Sequence, residues 1–238
     1  MRVYHIVRFR SGSAYVLFDG CNWNCSFCVW REVTRWSLCL PDGAKKRLDI
    51  LWERGVRYLS VDDAVELLMK ASARVAFLGG GEPTLDPELK ALMRALRREG
   101  IKPWLVTNGE NLDDEMVELA EGITFSIKAL DDRLHRGITG VSNERALENF
   151  ERYAKTGKLV AETVFVPGLV ECDEIERIAR FIASLNPDMP LRIDPLVQGA
   201  NFKDVDECIE RVRKILPKTD RVRVKGSVEP PEVLYPEV

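Results

Sequence analysis

Between Ala14 and Asp194 the chain alternates short apolar runs with longer amphipathic ones, six times over. Residues 14–18, 75–78, 103–106, 123–128, 159–166 and 191–194 read as buried strands. Helix-period stretches follow, from Ser60 and then over 87–98, 113–120, 143–154, 173–185 and 205–215. Ser60 with Asp63 three residues on is a capping-box-like helix start. Such alternation predicts an α/β fold, a parallel sheet covered by helices. Six units fall short of the eight-unit barrel of about 250 residues, so an incomplete barrel or an open sheet is expected. In either, chemistry belongs at the carboxyl ends of the strands. The 238 residues suit one domain, 1–238.

Two stretches do not follow the alternation. Residues 30–58 carry Trp30, Trp36, Pro41, Trp52 and many charges, which predicts loops with a short helix. A last short strand is expected at 221–225. Beyond it, Pro230, Pro231 and Pro236 predict an extended surface arm over 227–238.

Composition removes several classes of function. Charged residues make up 31% and hydrophobic ones 45%, which is a globular and not a disordered balance. A net charge of −3 argues against a broadly basic nucleic-acid-binding protein. No apolar run approaches the roughly 18 residues of a membrane span. The start Met1-Arg2-Val3-Tyr4-His5 lacks a signal-peptide apolar region, so a soluble cytoplasmic protein is expected. Gln198 is the single glutamine, against 35 Lys+Arg and 38 Asp+Glu, a bias that leans towards a thermophile.

Three of the six cysteines, Cys21, Cys25 and Cys28, form C-x3-C-x2-C on the loop 19–30 after the strand 14–18. Clusters of the [4Fe–4S] type ordinarily take four cysteines. Three leave one iron open to an exogenous ligand, as catalytic metal sites keep a position open. Half of a zinc site, with Cys39 as fourth ligand, and chance clustering are the alternatives. Trp23, Trp30, Trp36 and Trp52 read most simply as an apolar cover on the cluster. Cys39, Cys172 and Cys208 read as buried or incidental.

The other strand ends carry further candidates. Gly80-Gly81-Glu82-Pro83 ends the strand at 75–78, where glycines let a ligand approach the backbone. Thr107-Asn108-Gly109 ends the strand at 103–106. Alternation puts Ser126 and Lys128 on one face, where a lysine suits an anionic ligand. His135 reads as a loop or helix-end residue, or a partner contact. Arg94, Arg97 and Arg98 read as a solvated cationic helix face.

The cysteine triplet, with Phe27 before its last member, resembles the signature of the radical S-adenosylmethionine (SAM) enzymes, and Gly80-Gly81-Glu82-Pro83 resembles their GGEP motif. Membership implies a partial (β/α)6 TIM-like barrel of parallel strands. It also implies a [4Fe–4S] cluster on Cys21, Cys25 and Cys28, with SAM on its open iron. Gly80, Gly81 and Glu82 would hold the SAM amino group. Thr107, Asn108, Ser126 and Lys128 would serve its carboxylate and ribose, with Phe27 and Val164 as further cofactor contacts. No further catalytic residue is required, because reductive cleavage of SAM supplies the 5′-deoxyadenosyl radical.

Residues 126–128, 132–135, 139–143, 145–150 and 163–168 resemble the corresponding segments of pyruvate formate-lyase activating enzymes. That resemblance implies a glycyl-radical enzyme as partner and a flavodoxin or ferredoxin as reductant. Departures from the pattern are Ser126 and Val106 where those activases carry aspartates, Glu162 for an arginine, Leu196-Val197 for an aromatic and a histidine, and Val29-Trp30 for His-Asn. They leave a small-molecule or nucleoside substrate as the alternative, and a non-catalytic zinc or electron-transfer protein as a third.

Overall fold

The computed structural model describes residues 1–197, 199, 201–221 and 229–237. Among the described residues, nine strands form one sheet in the order β8-β7-β6-β5-β4-β3-β2-β1-β9. They are β1 (Val3–Arg8), β2 (Ser13–Phe18), β3 (Val75–Gly80), β4 (Lys102–Thr107), β5 (Gly122–Ser126), β6 (Leu159–Phe165), β7 (Leu191–Pro195), β8 (Thr219–Asp220) and β9 (Glu232–Tyr235). The helices are α1 (Asp42–Glu53), α2 (Val61–Lys70), α3 (Leu89–Arg98), α4 (Asp114–Leu119), α5 (Asp132–Thr139), α6 (Glu144–Tyr153), α7 (Cys172–Leu185) and α8 (Phe202–Val212). Strands β2 to β8 pair in parallel, each with its successor. Unbroken sequential order means every crossover turns the same way, which rolls the sheet towards a barrel. Among the described residues the edges β8 and β9 do not pair, so the barrel is partial, as the sequence predicts.

Alternation along the strands separates two environments. In β6, Leu159, Ala161, Thr163 and Phe165 are buried, while Val160, Glu162 and Val164 are half-buried. The first set faces the helices and the main core, and the second faces the inside of the roll. An incomplete barrel cannot bury its inner face fully, and that leaves a cavity. Helix α2 starts as expected, with Asp63 N donating to Ser60 Oγ (3.1 Å) and Ser60 N to Asp63 Oδ2 (3.4 Å). Helix α3 buries Leu89, Leu92, Met93 and Leu96 against the sheet.

Several expectations need correction. Residues 3–8 form β1, antiparallel to β2; the stretch is buried almost throughout and shows no alternation to read. Part of the expected arm is instead β9, paired with β1, because β1 would otherwise leave an open edge. Residues 222–225 of the expected short strand, and residues 227, 228 and 238 of the arm, lie outside the described residues. Within 30–58 there is a π-helical turn, Val29–Val33, and the 12-residue α1, which buries only Leu48.

Trp36 and Trp52 do not cover the cysteines. They pack with Tyr4, Val7, Leu40 and Leu48 in a second core cluster. Cys39 is exposed, which leaves it the incidental reading. Cys172 and Cys208 are buried, as expected, but they are also joined by a disulfide that the sequence did not suggest. Arg94, Arg97 and Arg98 are exposed on α3, as expected. Two of them also have surface partners: Arg94 pairs with Glu115, and Arg97 donates to the carbonyls of Glu118 and Leu119. No helix among the described residues is long and apolar enough to cross a membrane.

Candidate functional site

The cysteine loop is held at three places. Beyond β2, Gly81 N donates to Phe18 O (2.8 Å) and Glu82 N to Gly20 O (2.7 Å). This clips the glycine run onto the root of the loop. A Cβ on Gly81 would lie 2.1 Å from Gly20 O, and Gly80 has φ +100°, so neither position admits a larger residue without movement. On the other side, Asn24 N donates to Thr139 O (2.8 Å) and Ser26 N to Ile138 O (3.0 Å). These carbonyls close α5 and have no helical partner of their own.

The third hold is Trp23, buried with its ring edge-on to His135 at 4.8 Å. His135 lies inside α5, buried, with Nδ1 2.8 Å from Val141 O. It supports the loop from beneath and is neither a loop residue nor a partner contact. Burial pulls its pKa down, which favours the neutral ring. The ends of α5 were legible in Asp131, which accepts from Leu134 N (2.7 Å), and in Gly140 at φ +85°.

Glu82 is buried and fully engaged. Its Oε1 accepts from Thr84 N (3.1 Å), Thr84 Oγ1 (2.6 Å) and Thr107 Oγ1 (2.7 Å), and its Oε2 accepts from Asn108 N (2.7 Å). Burial nevertheless raises its pKa, against the pull of those donors. Thr107 Oγ1 also accepts from Gly109 N (2.9 Å). Asn108 Nδ2 donates to Asn22 Oδ1 (2.9 Å), and Asn22 Nδ2 donates to Glu110 Oε2 (2.6 Å), which the Trp23 indole also reaches. One hydrogen-bonded network therefore joins the exit of β3, the exit of β4 and the cysteine loop.

All twelve residues singled out in the sequence line one cavity of about 380 Å³ at the carboxyl ends of the strands. Cys21, Cys25, Phe27 and Cys28 come from the cysteine loop, Gly80, Gly81, Glu82, Thr107 and Asn108 from the exits of β3 and β4, and Ser126, Lys128 and Val164 from the end of β5 and from β6. Lys128 is two residues past the end of β5, not within it.

The far wall carries residues that sequence reading missed as a group. Glu162 and Asp194 line the cavity from β6 and β7, and Arg192, directly across from Glu162, pairs with both. Ser126 Oγ donates to Glu162 Oε1 (3.2 Å). Parallel strands bring Arg192 beside a residue thirty positions earlier, and only the register reveals that. Asn22 and Glu110 were also missed; polar residues next to a motif look like ordinary loop residues.

Burial pushes the Cys21 thiol up to about 11 despite a hydrogen bond from Trp23 N, and it raises Cys25 too, where the charge of Lys128 opposes it. A bound cation would reverse that balance, because metal ligation takes thiolates. Among the described residues, no three His, Cys, Asp or Glu side chains converge on a single ion.

The sequence pattern of the radical SAM superfamily matches residues 15–182. The chain belongs to the radical SAM superfamily. The match runs from β2 into α7 and so takes in the cysteine loop and every strand exit up to β6.

Among curated proteins, this radical SAM chain is 30% identical over 226 residues to the pyruvate formate-lyase 1-activating enzyme of Escherichia coli, covering 89% of this chain and 86% of that one. It is also 30% identical over 196 residues to a Methanocaldococcus jannaschii protein, covering 78% and 68%, whose own naming as a glycyl-radical enzyme activating enzyme is provisional. Among solved structures, SuiB of Streptococcus suis bound to its precursor peptide SuiA superposes with a TM-score of 0.64 at 18% identity. That match covers 85% of this chain but only 46% of SuiB, so this chain spans under half of that protein, and the likeness is one of fold.

Proposed function

We propose that residues 1–238 are one catalytic domain that activates a glycyl-radical enzyme by removing a hydrogen atom from a backbone glycine of that partner. The observation that carries this reading is the convergence of three thiols from one loop with the Gly80–Glu82 and Thr107–Asn108 exits on a single cavity. The similarity along nearly the whole of the Escherichia coli activating enzyme supports the partner.

The residues fit an iron–sulfur cluster in kind. Three thiols with no imidazole between them are the donors such clusters take, and a cube engages each thiolate with a different iron, so convergence on one ion is not needed. When bound, a [4Fe–4S] cluster supplies the electron that cleaves SAM to methionine and a 5′-deoxyadenosyl radical. Cys21, Cys25 and Cys28 hold the cluster. The Gly80 and Gly81 backbone lets the SAM ammonium approach. Glu82 acts by holding Thr107 and Asn108 in place, since both of its oxygens are already engaged. Lys128, and Ser126 with it, would serve the SAM carboxylate and ribose from the same cavity wall. Phe27 and Val164 keep water off the cofactors. The same reading places the protein in the cytoplasm with a flavodoxin or ferredoxin as electron donor.

The test is anaerobic. Reconstituted protein, dithionite and SAM should yield 5′-deoxyadenosine, and a Cys21→Ala, Cys25→Ala, Cys28→Ala variant should yield none. Pyruvate formate-lyase, added as the trial partner, should then give the electron paramagnetic resonance doublet of a glycyl radical. Iron-free protein after reconstitution would end the radical SAM mechanism for this chain. Product without a glycyl radical would favour a second reading, a small-molecule substrate, which has its own support. The far wall offers the charged set Glu162, Arg192 and Asp194, chemistry suited to a polar metabolite.

A further inference from the structure

The disulfide between Cys172 and Cys208 closes a 36-residue separation and joins the first residue of α7 to the middle of α8. Its place in the fold is specific. Helix α7 follows the exit of β6, and α8 follows the exit of β7, whose Leu196 and Val197 line the cavity. These are, among the described residues, the last two helices before the edge of the sheet, where β8 covers two residues. Among the described residues, the other polar ties between the two helices are ion pairs from Arg211 of α8 to Asp173 (2.9 Å) and Glu176 (2.8 Å), half-exposed and therefore weak. No further strand among the described residues pairs with β8 to steady this side.

We infer that Cys172 and Cys208 form a native structural disulfide that staples the far wall of the cavity at the open edge of the barrel. Cys208 is 1% exposed and Cys172 9%, so the bond, once made, is shielded from casual exchange. It forms by thiol–disulfide exchange. The two thiols lose two protons and two electrons as Sγ–Sγ is made, and the electrons reduce a partner disulfide, protein or low-molecular-weight, which leaves as two thiols. Intracellular proteins of hyperthermophiles keep such bonds, in line with the single glutamine and the high charge content of this chain. The staple does not depend on which substrate the cavity takes.

Purified full-length protein should be acid-quenched, alkylated with N-ethylmaleimide under denaturing conditions and mapped without reduction. The expected result is a linked pair of peptides carrying Cys172 and Cys208, with the other four cysteines alkylated. Alkylation of all six overturns the inference. Thermal unfolding is then compared before and after full reduction with a phosphine. Reduction should lower Tm by roughly 5–10 °C, as expected for a loop of this length in a chain of this size. A Cys172→Ala, Cys208→Ala variant should unfold at the reduced temperature and ignore the reductant. A fully reduced wild type with unchanged Tm would show that the bond staples nothing, and that comparison stands even if the variant does not fold.

Discussion

Glu82 shows how much one buried side chain can organise. Its two oxygens accept four hydrogen bonds from three residues, and through them it fixes the exit of β4 beside the exit of β3. Replacing it by Gln turns one acceptor into a donor facing donors. Glu82→Gln should cost about 1–3 kcal/mol of stability by denaturant titration, and SAM affinity should fall in calorimetry. The pH dependence has a definite sign. Burial raises the folded pKa of Glu82 above its unfolded value, so its contribution is full below the unfolded value and declines as pH rises through the folded one. The Gln variant should lack that decline. Gly81→Ala tests the clip itself: a Cβ 2.1 Å from Gly20 O must push the cysteine loop away. A loss of about 1–3 kcal/mol is expected, together with less iron retained per chain; wild-type iron content in the variant would dismiss the clip.

Pairing of β1 with β9 is an interaction between elements that one side chain reports. His5 is fully buried, with Nδ1 2.7 Å from the carbonyl of Tyr235. Burial lowers its pKa to about 4, against the pull of that carbonyl, so the neutral ring donating from Nδ1 is the native form. A depressed histidine pKa gives stability that is present above the unfolded value of about 6.5 and lost as pH falls towards the folded value. Acidification from pH 7 to 4 should therefore cost the wild type about 3 kcal/mol more than a His5→Gln variant, which keeps a donor for Tyr235 O and cannot titrate. Urea midpoints across that range measure it; parallel pH profiles for the two proteins would remove His5 from the account. The same pairing explains why the extended-arm expectation failed. Residues 232–235 carry no strong strand pattern of their own, and they become a strand because β1 offers an unpaired edge.

For the molecule as a whole, the partial roll of the sheet decides where charge can sit. Glu162, Arg192 and Asp194 lie on an inner face that a closed barrel would fill with apolar side chains. Arg192→Met should leave two carboxylates facing each other and cost about 1–3 kcal/mol at pH 7, less than a fully buried pair because the guanidinium is 36% exposed. Urea midpoints at pH 7 measure it; a variant as stable as wild type there would mean that the triad is electrostatically idle.

Local patterns were enough for the six strand–helix units and the cap at Ser60, and with the family resemblance they pointed to twelve of the residues that line the cavity, because period, capping chemistry and motif spacing are properties of neighbouring residues. Tertiary structure alone decided the rest. It made β1 and β9 strands by pairing them, and put Trp36 and Trp52 in a separate core. It turned His135 inward under Trp23, joined Cys172 to Cys208 and set Arg192 between two carboxylates. Each of these is a contact between residues distant in the chain. Register, burial and the open edge of the barrel create such contacts, and no local pattern encodes which distant partner will be met.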